Sequence, residues 1–185
     1  MSIQSRRERE RAERERLIVT AARELAETEG WDAVTTRRLA EQVEYSQPVL
    51  YSHFKGKDAI MAAVAVEGFA NLAADLHKAR EDAADPLAAV SKAYLTFADQ
   101  RPALYDAMFS QAVDLPFATP EAPPALHAGF NELLAAVSPG ANDEPGLLTE
   151  LFWAALHGLA TLTRGGRLLR EQQSQRLELL LTRFR

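Results

Sequence analysis

Apolar positions recur at helical spacing along almost the whole chain, and no stretch sustains the period-two alternation of a half-buried strand between hairpin turns. Leu17, Ile18, Ala21, Ala22, Leu25 and Ala26 form the first apolar stripe, which Gly30 stops. Val34, Leu39, Ala40 and Val43 form a second, shorter one behind Thr35, whose hydroxyl can accept an orphan backbone N–H at a helix start. Ser46 offers another N-cap, with Pro48 in the first turn, where its missing N–H costs nothing. Leu50 and Phe54, four apart, point one way into a core and leave Gln47, Val49, Tyr51 and His53 on the other faces.

Further along, the pattern predicts a long helix over residues 58–81, about 35 Å long at about 1.5 Å per residue. Asp85-Pro86 starts another helix, carrying Leu87, Val90, Tyr94, Leu95 and Phe97, and Pro102 begins a short one through Phe109. Residues 115–124 hold Pro116, Pro120, Pro123 and Pro124 and read as an irregular loop. Helices follow over 125–137, 147–164 and 171–184, with a turn over 138–146 and Gly165-Gly166 between the last two. The fold class is therefore all-α.

The helix over 147–164 is apolar nearly all the way round and must be buried on several sides. Its successor carries Leu177, Leu180, Leu181 and Phe184 at i, i+3, i+4 and i+7. Two such helices suit pairing with their own copies in a four-helix bundle, which makes Phe152, Leu156, Leu159, Leu177, Leu180, Leu181 and Phe184 the candidate dimer interface.

Composition narrows the function classes. A chain of 185 residues, 47% of them hydrophobic, can bury a substantial core. The absence of cysteine excludes disulfides, thiolate metal sites and Cys nucleophiles. The N-terminus is a charge run rather than an apolar signal, and Glu67 cuts the apolar stretch after Ala59 short of the roughly 20 residues of a membrane span. A soluble cytoplasmic protein with no membrane partner is expected.

The net charge of −5 argues against indiscriminate coating of nucleic acid. Residues 1–58 balance 11 Lys/Arg against 11 Asp/Glu, residues 59–163 carry 4 against 13, and residues 164–185 carry 6 against 2. The acidic middle would repel phosphates, so DNA contact belongs to the N-terminal part and depends on where individual cations sit. Residues 6–16 alternate Arg and Glu, with Glu10–Arg14 a favourable i,i+4 pair; they read either as a solvated helical extension or as a flexible arm reaching DNA.

The segment TTRRLAEQVEYSQPVLYSHFKGK, residues 35–57, gathers this chemistry into two short helices joined by a tight turn. A short helix that presents Gln, Tyr and His around an exposed N-terminal end suits a major-groove reader, so the segment reads as a helix-turn-helix. From LIVTAARELAETEGWDAVTTRRLAEQV through QPVLYSHFKGKDAI, about the first third of the chain, it resembles the tetracycline-repressor (TetR) family of one-component regulators. The resemblance implies an N-terminal DNA-binding domain over residues 1–57 and a C-terminal effector-binding and dimerisation domain over residues 58–185. By position within the family's motif, Arg37, Gln47, Pro48, Val49 and Tyr51 correspond to base-contacting places, and Thr36, His53 and Lys57 to phosphate contacts. Arg can pair bidentately with guanine and Gln with adenine, while Pro48 and Val49 can touch a thymine methyl. Taken singly, Arg37 and Arg38 read equally as solvated helix surface, Tyr51 as core and His53 as a partly buried cap; their joint spacing favours DNA contact.

Two positions depart from the family pattern. Glu44 stands where the turn usually has glycine, and Tyr45 stands at the small apolar position after it. A non-Gly residue at positive φ costs on the order of 1 kcal/mol, so a reshaped or strained turn is expected.

The Trp153, His157, Gly158 spacing resembles the C-terminal domain of a subgroup with a Trp-His-Gly signature, as does AYLTFADQRPALYDAMF. Tyr94, Phe97, Tyr105, Met108, Phe109, Phe117, Phe130, Trp153 and His157 supply aromatic and soft apolar surface, each of them core or effector pocket. His157 needs a partner in its apolar helix, whereas His77 and His127 show no spacing that suggests a metal. No cofactor is expected. The resemblance implies a homodimer on a near-palindromic operator in double-stranded DNA, released by an apolar small-molecule effector. The alternative is a dimeric DNA-binding protein with no effector. A helical enzyme is the third reading, but no acid/base pair or nucleophile constellation stands out.

Overall fold

The computed structural model describes residues 3–109, 115, 119, 122–138 and 144–184. Among them are nine α-helices and no strand: α1 (Ile3–Glu29), α2 (Thr36–Gln42), α3 (Gln47–His53), α4 (Lys57–Glu81), α5 (Pro86–Gln100), α6 (Pro102–Phe109), α7 (Pro124–Val137), α8 (Pro145–Arg164) and α9 (Gln173–Phe184). Most of the proline-rich segment and residues 139–143 of the expected turn, with Phe117, lie outside the described residues.

Backbone contacts divide the chain into two compact units, residues 1–68 with 101–115, and residues 69–100 with 116–185. In the first unit, Ile18, Ala22, Val34, Leu39, Leu50, Ile60 and Val64 are fully buried. The Arg/Glu run is helical, stiffened by Arg6–Glu10 and Arg11–Glu15 pairs at 2.8 Å each rather than by Glu10–Arg14.

The Glu27 carboxylate of α1 accepts hydrogen bonds from the Ala103 and Leu104 amides at 3.1 and 2.9 Å, satisfying orphan donors at the start of α6. Beside it, the Trp31 indole N–H donates to the Ala103 carbonyl at 2.8 Å. Gly68 of α4 lets α6 close in, since a Cβ there would stand 2.7 Å from the Met108 sulfur.

By length and composition α4 could cross a membrane, contrary to the expected interruption at Glu67. Half of its apolar window is nevertheless buried in the fold, and Glu67 pairs with Arg23 of α1.

In the second unit, α5 packs on α7, α8 and α9. Asp85 caps α5 by accepting from the Ala88 amide at 3.1 Å. Glu132 of α7 accepts from Arg80 at 2.8 Å and pairs with His77 at 3.1 Å.

Four candidate dimer residues face inward instead. Phe152, Leu156, Leu177 and Leu181 are buried within the protomer, Phe152 against the Phe184 ring at 5.0 Å, while Leu159 and Leu180 are only partly covered. A helix apolar on every side offers no hydrophobic contrast to reveal which side finds a neighbour in the same chain. The outward stripe is Leu147, Leu151 and Leu162 on α8, with Leu179 exposed on α9.

Candidate nucleic-acid interface

Thr35 caps α2 as its position predicts, its hydroxyl accepting from the Arg38 amide at 3.2 Å. Ser46 occupies the N-cap position of α3, but its side chain makes no capping bond; its carbonyl takes the Val49 and Leu50 amides at 3.0 and 3.1 Å.

Between the helices, Glu44 adopts φ 57°, the one positive φ of a non-glycine among the described residues. The Glu44 amide donates to the Glu41 carbonyl at 3.3 Å and the Tyr45 amide to the Ala40 carbonyl at 2.9 Å. That pair of bonds is a Schellman ending, which places its left-handed residue at Glu44. The turn thus keeps a glycine's geometry with a glutamate in it. Glu44→Gly is expected to stabilise the protein by about 1 kcal/mol, read as a higher urea midpoint at unchanged m-value.

The outer surface of α2 and α3 gathers six of the eight candidate DNA residues. Gln47, Pro48 and Val49 are exposed, and Tyr51 keeps 50% of its surface in solvent. The hydroxyls of Thr36 and Tyr51 lie 3.3 Å apart, joining the start of α2 to α3. Arg37 is 78% exposed and makes an i,i+4 pair with Glu41 at 3.0 Å, weak enough for a base edge to replace. Its neighbour Arg38 is committed elsewhere. It grips Glu29 of α1 with two bonds of 2.8 and 2.7 Å, and that hydrogen bonding holds the Glu29 carboxyl below its ordinary range.

The other two candidates turn toward the protein. Only 6% of the His53 side chain is exposed, and its ring nitrogen lies 3.4 Å from the Glu15 carboxylate of α1. The Lys57 ammonium donates to the Trp31 carbonyl at 2.5 Å.

The candidate effector residues fall into both units. Tyr105, Met108 and Phe109 belong to the first, where the Tyr105 and Phe109 rings stand 4.7 Å apart. Tyr94, Phe97, Trp153 and His157 belong to the second. There the Trp153 indole donates to the Tyr94 hydroxyl at 3.1 Å and meets Phe130 edge-on at 6.4 Å. Among the described residues no group of three or more His, Asp or Glu side chains could hold a metal ion.

Burial, and secondarily the charge of Arg164, lowers the His157 pKa below 6.5. The unfolded chain therefore takes up the proton first as pH falls, so stability is full above the unfolded pKa and declines toward the lower folded value. Tm is expected to fall on acidification from pH 7 to 5, and His157→Gln to flatten that part of the profile.

The family model for bacterial regulatory proteins of the tetR family matches residues 18–64, and that for the tetracyclin repressor-like C-terminal domain matches residues 87–184. The uncharacterized HTH-type transcriptional regulator Rv0681 of Mycobacterium tuberculosis is 30% identical over 156 residues, covering 80% of this chain and 69% of that protein. The uncharacterized HTH-type transcriptional regulator YobS of Bacillus subtilis is 32% identical over 104 residues; the match covers 54% of this chain and spans about half, 53%, of YobS. A Rhodococcus sp. RHA1 protein of unknown function shares the fold at a TM-score of 0.74 and 24% identity, with 92% of this chain and 94% of that one covered. With both halves matched in order and the helix-turn-helix in place, the chain belongs to the tetR family of bacterial regulatory proteins.

Proposed function

We propose that the protein is a cytoplasmic transcriptional repressor that binds a near-palindromic operator as a homodimer and is released by an apolar small molecule. The observation that carries the DNA-binding reading is the exposed surface of Arg37, Gln47, Val49 and Tyr51 on two helices held at a fixed turn. Two copies place two such helices in successive major grooves, about one helical turn apart. Arg37 and Gln47 read base edges, Pro48, Val49 and Tyr51 add shape and apolar contact, and Thr36 binds a phosphate. Lys57 can exchange the Trp31 carbonyl for a phosphate, and His53 holds α3 against α1.

Dimerisation in this reading uses the outward stripe of α8. Leu147, Leu151 and Leu162 are exposed on it, and nothing lies within 4 Å of a Cβ built on Gly158, so a partner helix can approach closely there. The effector site comprises Trp153, His157 and Phe130 with Tyr94 behind them, the part of the chain that resembles the Trp-His-Gly subgroup. An effector that prefers the DNA-free conformation by ~1–3 kcal/mol lowers operator affinity roughly 5- to 150-fold.

Complete burial of Tyr94 and near-complete burial of Phe97 favour a second reading, a dimeric DNA-binding protein with no effector. A thermal-shift screen of apolar compounds separates the two, because only an effector site raises Tm with ligand concentration. The DNA-binding reading is tested by selecting bound sites from a random duplex library at physiological salt. An enriched inverted repeat supports it; no enrichment overturns it.

A further inference from the structure

We propose that the N-terminal extension of α1 is a second DNA-contacting element, in which Arg7 and Arg14 bind the phosphate backbone beside the recognition helix. The proposal rests on the DNA-binding reading above and adds a surface outside the helix-turn-helix.

In an α-helix, positions 7, 11, 14, 18, 22 and 25 fall on one face. In this chain they are Arg7, Arg11, Arg14, Ile18, Ala22 and Leu25. The last three are buried in the core of the first unit. The stripe that packs α1 into that core thus becomes arginine where the helix runs on past it. The Arg11 guanidinium lies 3.5 Å from the Ser52 carbonyl near the end of α3, so the arginine face is on the side of the recognition helix. His53, on the same turn of α3, meets Glu15 of the next turn of α1.

The even Arg/Glu composition hides this asymmetry. Glu10 and Glu15 are engaged by Arg6 and Arg11, while Arg7 and Arg14 stay exposed about 10 Å apart along the axis. Arg9 and Arg16 occupy the opposite face, and Arg9 is turned back to the Ser5 carbonyl at 3.2 Å. A rigid pair of cations beside a base-reading helix, with no acceptor built around it, fits a duplex backbone by charge and by continuity with the α3 surface.

Two double variants that remove equal charge test the geometry: Arg7→Ala/Arg14→Ala on the proposed face and Arg9→Ala/Arg16→Ala on the other. All four positions are exposed helix sites where alanine keeps the helix, which circular dichroism checks. Binding is measured by anisotropy on a labelled 30-base-pair duplex of mixed sequence and on sites taken from the library selection, between 50 and 200 mM KCl. Each phosphate contact adds about 0.9 to the slope of log K against log salt. Arg7→Ala/Arg14→Ala is expected to lower the slope by about 1.8 on both duplexes, about a 12-fold difference over that salt range, and Arg9→Ala/Arg16→Ala to leave it unchanged. Equal slope losses in the two variants, or none in either, would overturn the proposal. Failure of the base-reading surface shows separately, as Arg37→Ala leaving the affinity for selected sites intact while the slopes still differ.

Discussion

Phe152→Ala is expected to cost about 3–5 kcal/mol of stability, a large share of the 5–15 kcal/mol typical of a folded domain. Phe152 is fully buried on α8 and meets the Phe184 ring at 5.0 Å, so alanine removes the ring and leaves a void between α8 and α9. The loss belongs to the protomer and should be the same at low and high protein concentration, read as a lower urea midpoint in both. Leu151, next in sequence and 64% exposed, should behave in the opposite way. Leu151→Glu is expected to leave protomer unfolding in place and to abolish dimerisation, seen as a halved mass by sedimentation. If Phe152→Ala instead alters only the dimer, the inward face of α8 has been assigned wrongly.

The second large effect is on DNA. Arg37→Ala is expected to weaken binding to a selected site by about 1–3 kcal/mol, roughly 5- to 150-fold, and to relax preference at one base pair. Tyr51→Ala adds to it, with incomplete additivity because the Tyr51 hydroxyl touches that of Thr36, the neighbour of Arg37. Arg38→Ala provides the contrast. Its guanidinium is held by Glu29, so the change should lower stability slightly and leave sequence preference alone. Competition binding with single-base-pair variants of the site, alongside a melting curve for each protein, checks both expectations. Should Arg38→Ala shift specificity and Arg37→Ala not, α2 docks in another rotation.

These contrasts mark what a linear pattern can and cannot convey. Local chemistry is legible. Thr35 caps α2, Pro48 starts α3 and Glu44 forces the turn, because each depends on backbone within a few residues. Arg37 and Arg38 look interchangeable in sequence, yet one helical step of rotation puts Arg38 onto Glu29 and leaves Arg37 in solvent. His53 and Lys57 follow the motif by position, but the burial of one and the carbonyl partner of the other depend on α1 and the Trp31 turn. The inward face of α8 is equally hidden, since apolar residues surround the helix and only its neighbours select a side. Long-range partners such as Glu27 and the α6 amides leave no periodic signal at all.

That last contact bears on how the protein is made. Glu27 and Trp31 find their partners at Ala103 and Leu104, more than 70 positions later in the chain. A nascent chain emerging from the ribosome can form α1 to α3 early, but it cannot close the first unit until α6 has emerged. Until then Trp31 lacks its acceptor and the α1 surface that receives α6 stays wet. A fragment ending before residue 101 is held permanently at that stage, and the DNA-binding half is therefore expected to be a poor candidate for independent expression.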